Sequence, residues 1–140
     1  MASVAAGYSG KPLAAKLGIA DGMTVLAVDA PAGYAGWVAP LPPGARLVTR
    51  HAAGLRFVHL FATERRKLAS ALGDYRKRLP DDAVLWVSWP KKTSKLPTDI
   101  TEDVIRELAL PLGWVDVKVC AVSEVWSGLK LVVRKSERRA

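Results

Sequence analysis

Three lysines and three hydroxyl side chains crowd one short stretch, Ser88-Trp89-Pro90-Lys91-Lys92-Thr93-Ser94-Lys95. Ammonium groups beside hydroxyl donors are a natural cradle for an anionic group such as a phosphate. The stretch lacks the glycines that let backbone amides wrap a phosphate in a P-loop, and a solvated basic loop accounts for the same residues. Asp29-Ala30-Pro31-Ala32-Gly33-Tyr34 is a second chemistry-bearing segment, with a carboxylate that also suits a turn before Ala-Pro. Trp37, Trp86, Trp89, Trp126 and Tyr34 offer stacking faces for a base. On a regular strand Trp86 and Ser88 share one face and Val87 and Trp89 the other, so one of the two tryptophans belongs to a core.

Other reactive residue types have plainer explanations. His59 shares a strand face with Phe57 and Phe61, which predicts a buried, satisfied histidine rather than a general base. Asp99, Glu102 and Asp103 stand where a helix start needs acidic caps. Cys120 lies inside the apolar run Val115 to Val122, away from any electropositive helix start. No Ser-His-Asp, Cys-His or paired-carboxylate arrangement is legible, and one cysteine with two histidines cannot build a four-ligand zinc cage.

The elements that must position these residues follow from hydrophobic patterning. Pro12 to Leu17 with Gly18 as a stop predicts a short helix. Thr24 to Val28 is a continuous apolar run of the kind buried on both faces in a parallel sheet. After proline-rich 40–44, Arg46-Leu47-Val48 is a weak strand and Phe57 to Phe61 a clear one. Thr63-Glu64 then opens a helix with Leu68, Leu72, Tyr75 and Leu79 on one face. Ala83 to Trp89 is the next strand, and Asp99 with Glu102 three residues on caps a helix ended by Pro111 and Gly113. Val115 to Val122 and Leu129 to Arg134, joined through Ser123 to Gly128, form a closing hairpin.

Helices alternating with strands, then an antiparallel hairpin, predict an α/β fold: a mostly parallel, Rossmann-like sheet flanked by helices. With 140 residues the chain is one domain, placed at 11–135, with a loosely ordered segment at 1–10 and a basic tail at 136–140. Twenty-one Lys and Arg against 13 Asp and Glu give a net charge of +8, which favours anionic partners: nucleotides, nucleic acid or acidic proteins. A single cysteine, no secretory start and no apolar run near the roughly 18 residues of a membrane helix lead us to expect a cytoplasmic protein with no membrane partner.

The order of elements resembles the Rossmann-like fold of S-adenosylmethionine-dependent methyltransferases, shortened in its amino-terminal half. That resemblance implies a cofactor loop at Asp29-Ala30-Pro31-Ala32-Gly33, which here has one glycine and a proline without an N–H. It implies an acidic ribose-binding residue after the second strand, where this chain carries Thr49-Arg50-His51. Gly7-Tyr8-Ser9, Ala30-Pro31-Ala32-Gly33-Tyr34, Trp86-Val87-Ser88-Trp89-Pro90-Lys91-Lys92, Val117-Lys118-Val119-Cys120-Ala121-Val122 and Trp126-Ser127-Gly128-Leu129-Lys130 resemble a family of small bacterial domains of unknown function. That second resemblance implies no activity.

Open parallel sheets bind ligands outside the carboxyl ends of their strands. The residues expected at that edge, and so the expected ligand set, are Asp29, Gly33, Tyr34, Ser88, Trp89, Lys91, Lys92, Thr93, Glu124 and Trp126. The reading is a non-catalytic domain binding an anionic, nucleotide-like ligand or acidic partner, with no particular cofactor named by the residues. The alternatives are a small S-adenosylmethionine-dependent methyltransferase and a nucleic-acid-binding protein.

Overall fold

The computed structural model describes residues 11–138. The expected loose segment 1–10 and the last two residues of the basic tail lie outside the described residues. Nine helices and strands of the sequence reading reappear near their expected places, and the complete order is α1 (Leu13–Leu17), β1 (Thr24–Val28), α2 (Tyr34–Val38), β2 (Arg46–Val48), β3 (Phe57–Phe61), α3 (Arg65–Arg78), β4 (Val84–Pro90), α4 (Glu102–Ala109), β5 (Trp114–Ala121) and β6 (Trp126–Val133). Short 3-10 turns follow β4, α4 and β6, at Lys92–Ser94, Leu110–Leu112 and Lys135–Glu137.

The strands form one sheet in the order β2-β1-β3-β4-β6-β5. β2, β1, β3 and β4 run parallel, and β6 is antiparallel to both its neighbours. The continuous apolar runs of β1 and β3 are explained by cover on both faces. One face carries Val58, Leu60, Leu85 and Val87 against Leu68 and Leu72 of α3 and Ile105 of α4. The other carries Phe57, Phe61 and Trp86 against Leu13 and Leu17 of α1 and Tyr34 and Val38 of α2.

One buried tryptophan anchors each layer. Trp86 donates its indole N–H to the Leu17 carbonyl at 2.9 Å, and Trp114 donates to Leu72 at 3.1 Å. A five-residue helix such as α1 is far too short to persist alone, so this bond and its apolar face hold it. Arg106 ties α4 to β5 through Asp116 at 2.9 Å, and also bonds Asp103 and Glu102 of its own helix.

Two local expectations are corrected. Thr63 and Asp99 were expected to cap the helices that follow them, yet neither does. Thr101 caps α4 by accepting the Val104 N–H at 3.1 Å. Asp99 reaches across instead and accepts the Arg65 N–H at the start of α3 at 2.6 Å. Spacing along the chain cannot distinguish a carboxylate that caps its own helix from one that caps a neighbour. The consequence is that the start of α3 is bound to the segment preceding α4, reinforced by the Thr98 hydroxyl donating to the Thr63 carbonyl at 2.7 Å. The closing hairpin is also tighter than expected, because β6 begins at Trp126 and the Ser123 hydroxyl accepts the N–H groups of Val125 and Trp126. Finally, α2 is an addition, since Tyr-Ala-Gly-Trp-Val is too short and too glycine-interrupted to announce a helix.

Gly128 shows how closely the α1/α2 layer is packed. A Cβ there would lie 3.0 Å from Val122 Cγ2 and 3.2 Å from Trp86 Cε3. Overfilling such a site typically costs about 1–3 kcal/mol. We therefore expect Gly128→Ala to lower the midpoint of urea unfolding by a corresponding amount, whereas Gly73→Ala on α3, with open space at its Cβ, leaves it level or raised.

Candidate functional site

Strand order fixes where a cleft can form. From β1 the chain moves outward to β2 and then crosses back to β3 on the other side of β1. At such a reversal the two connections diverge and leave a crevice at the carboxyl ends of the strands. A cleft of about 420 Å³ lies there, within the range of small-molecule sites. Val28 and Asp29 from the end of β1, Leu60 to Glu64 from the end of β3, and Trp126 from the start of β6 contribute to it. Along α3 its wall is Lys67, Leu68, Ala71, Asp74, Tyr75 and Arg78, recurring every three or four residues.

The lining mixes apolar surface with charges of both signs. Lys67 pairs with Glu64 at 3.4 Å, and the Arg78 guanidinium lies 5.9 Å from the Tyr75 ring centroid. The carboxylates of Asp29 and Asp74 make no hydrogen bond or ion pair with the described residues, although both act on Tyr75. Burial pushes the Tyr75 phenol above its ordinary range; Arg78 opposes that shift, and Asp29 and Asp74 add to it. Tyr75 is therefore a neutral hydrogen-bonding group at physiological pH.

Asp29 is also conformationally unusual, with φ at +56°. A left-handed backbone costs a non-glycine residue on the order of 1 kcal/mol or more, and such strain gathers at ligand sites. It turns the chain sharply out of β1 and into the cleft's edge.

The loop 29–33 is pinned at its far end by a buried polar chain. Tyr34 Oη lies 2.8 Å from His59 Nδ1, and His59 Nε2 lies 2.8 Å from Ser88 Oγ. Tyr34, His59 and Ser88 are all buried. In neutral imidazole one nitrogen donates and the other accepts, and both hydroxyls can take either role, so both tautomers satisfy the chain. Burial lowers the His59 pKa to about 3 and pushes that of Tyr34 up. The expectation of a satisfied core histidine is met.

The ten expected ligand residues separate into groups. Asp29 and Trp126 line the cleft. Tyr34 and Ser88 stand in the buried chain, and Trp89 packs in the α3/α4 layer. Gly33 is exposed against Trp37, whose Nε1 would lie 2.9 Å from a Cβ at residue 33. Lys91, Lys92 and Thr93 leave β4 in a turn outside the cleft, held by the Lys91 N–H donating to the Val125 carbonyl at 2.8 Å. Glu124 is exposed between β5 and β6. Sequence reasoning missed Lys67, Asp74, Tyr75 and Arg78 as one wall. The signal was a second stripe on α3, one step around from Leu68, Leu72 and Leu79. Cys120 is half-buried, and burial raises its thiol pKa despite nearby Lys16 and Lys118. Among the described residues no cluster of His, Cys, Asp or Glu could hold a metal ion, and no helix is long and apolar enough to cross a membrane.

No protein-family model and no curated protein matches the chain. Among solved structures, an S-adenosylmethionine-dependent methyltransferase from Aquifex aeolicus superposes with a TM-score of 0.58 at 13% identity, covering 86% of this chain and 87% of that one. This is a methyltransferase-like Rossmann fold. A protein of the NADB-Rossmann superfamily from Streptococcus agalactiae gives 0.55 at 12% identity over 89% of this chain and 68% of that one. A tRNA methyltransferase from B. subtilis gives 0.52 at 9% identity over 88% and 65%. At these identities the likeness is one of fold.

The His59 shift has a measurable sign. Below about pH 6.5 the unfolded chain protonates this histidine while the folded chain does not until about pH 3, so acid favours unfolding. Between pH 6 and 5, where ordinary carboxylates stay ionised, unfolding free energy should fall by roughly 1.4 kcal/mol per pH unit. Urea titrations at several pH values check this; His59→Gln, which keeps a hydrogen-bonding side chain without the titration, should flatten the slope in that window.

Proposed function

We propose that the chain is a small-molecule-binding domain that takes a nucleotide-like ligand in the cleft between α3 and the carboxyl ends of β1 and β3. The observation that carries this reading is the coincidence, at the sheet's reversal point, of a 420 Å³ cleft with ionisable groups of both signs. Apolar Val28, Ala71 and Leu68 and the ring of Tyr75 suit a base. Lys67, in the first turn of the 14-residue α3, is placed for an anionic group, and the helix dipole adds to its attraction. Asp29 and Asp74, unpartnered among the described residues, accept hydrogen bonds from hydroxyl or ammonium groups. Tyr75 stays protonated and so acts in the cleft as a neutral hydrogen-bonding group and an aromatic face.

The second reading, an S-adenosylmethionine-dependent methyltransferase, is favoured by the charge pattern. That cofactor carries a sulfonium, an ammonium and a carboxylate beside an adenosine. Asp29 and Asp74 would face its cationic groups and Lys67 or Arg78 its carboxylate, so the donor set fits. The cofactor would supply an activated methyl group. The backbone of 29–33 is less suited, since Pro31 offers no N–H.

Calorimetric titration with AMP, ADP, S-adenosylmethionine and S-adenosylhomocysteine tests both. We expect at least one to bind, and Tyr75→Ala and Asp29→Asn each to weaken it roughly tenfold, about 1.4 kcal/mol. Preference for the last two ligands, with a raised melting temperature, would select the cofactor reading. Binding of none of the four, or binding unaffected by both substitutions, rejects the cleft as the site.

A further inference from the structure

The chain's excess positive charge is not evenly placed. Toward the amino ends of the strands the arginines are engaged within the fold: Arg56 pairs with Asp82 at 3.1 Å and Arg76 with Asp81 at 3.2 Å. Arg138 donates to the Val133 carbonyl at 3.0 Å and Arg134 to the Leu110 carbonyl at 2.6 Å. At the carboxyl ends the pattern reverses. Arg50 follows β2, Arg66 stands in the first turn of α3, and Lys91, Lys92 and Lys95 follow β4; none of the five side chains makes an ion pair or hydrogen bond with the described residues. Of the carboxylates near this edge, Asp99 binds the start of α3 and Glu64 pairs with Lys67, which leaves Asp29 and the exposed Glu124 against five cations.

The lysine-bearing turn is built rather than slack. The Ser94 hydroxyl donates to the Lys91 carbonyl at 2.7 Å and accepts the Leu96 N–H at 3.2 Å. Lys95 is held left-handed at φ +62°, a strained state for lysine. Pro90 at the start of this turn is in register with Trp126. Trp126 is half-buried, edge-on to Phe61 at 5.1 Å, and lines the cleft mouth. An aromatic side chain therefore stands between the lysine turn and the cleft.

We propose that this rim is a docking surface for single-stranded nucleic acid, with backbone phosphates crossing Arg50, Arg66 and the Lys91–Lys95 turn and one base against Trp126. From the exit of β2 to that of β4 is three strand spacings, about 14 Å, so one small anion cannot engage all three groups and an extended polyanion can. A stacking side chain beside the cations selects bases over carboxylates, because every base presents a π-face. Paired bases have no free face to present, which is why the partner is single-stranded. The surface shares Trp126 with the cleft mouth, while its cations lie outside the cleft lining.

Fluorescence anisotropy with labelled RNA and DNA strands of about twelve nucleotides, a length within the usual site sizes, tests it on the full chain. We expect binding that weakens with salt by roughly 0.7 log units per log unit of salt for each phosphate engaged. Joint Lys91→Glu and Lys92→Glu should reduce affinity at least tenfold and make the salt slope shallower. Trp126→Leu should weaken binding with the slope unchanged, and Tyr75→Ala should leave it intact, which separates this surface from the cleft. Lys77→Glu with Lys135→Glu, the same charge change among exposed residues at the other edge, should have little effect. Absence of binding at low salt overturns the proposal, as does equal loss from the Lys77 and Lys135 pair, which would indicate net charge alone. Displacement of the strand by poly-glutamate as readily as by unlabelled strand would assign the rim to an acidic protein instead.

Discussion

A neutral histidine sealed between two hydroxyls is the constraint on which the carboxyl edge depends. His59 sits mid-strand in β3, Ser88 in β4 and Tyr34 at the start of α2, and the two 2.8 Å contacts join all three. A buried polar group left unpaired costs about 1–3 kcal/mol, so each member holds the others in place. The practical effect is to fix Tyr34, and with it the far end of the five-residue loop that begins at Asp29. The near end is fixed by β1. A strained Asp29 can be maintained only because the surrounding structure determines its backbone so tightly.

The same edge is stiffened from the α3/α4 side. Asp99 and Thr98 bind the start of α3 to the segment ahead of α4, and the Lys91 N–H to Val125 bond joins the turn after β4 to the β5–β6 connection. Each of these ties engages a main-chain group and joins loops distant in sequence. They make the carboxyl edge a continuous rim with a cleft in it, rather than a set of independent loops. The methyltransferase-like fold supplies the reversal that opens the cleft; the side chains on α3 and at Asp29 give it its chemistry.

Charge is distributed on the same principle. Arg56, Arg76, Arg134 and Arg138 near the amino edge are matched by carboxylates or carbonyls, whereas Arg50, Arg66 and the three lysines after β4 near the carboxyl edge are not. A protein carrying +8 must tolerate self-repulsion somewhere, and leaving it at the edge that also holds the cleft and an accessible tryptophan concentrates the field where a ligand would arrive.

Much of this was legible along the chain. The apolar runs of β1 and β3, the helical stripe of Leu68, Leu72 and Leu79, and the alternating order of elements determined the α/β class, the mostly parallel sheet and the edge at which to look. The lone position of His59 between Phe57 and Phe61 determined its burial. These features depend on local periodicity, which a sequence displays directly. What tertiary structure decided were the relations between distant segments: that Asp99 caps α3 rather than α4, that Ser88 and Tyr34 meet across His59, and that Asp29, Tyr75 and Trp126 share one cleft while the lysine turn stands outside it. Such pairings follow from strand order, register and the direction each side chain takes from its element, and no spacing within a single segment encodes them.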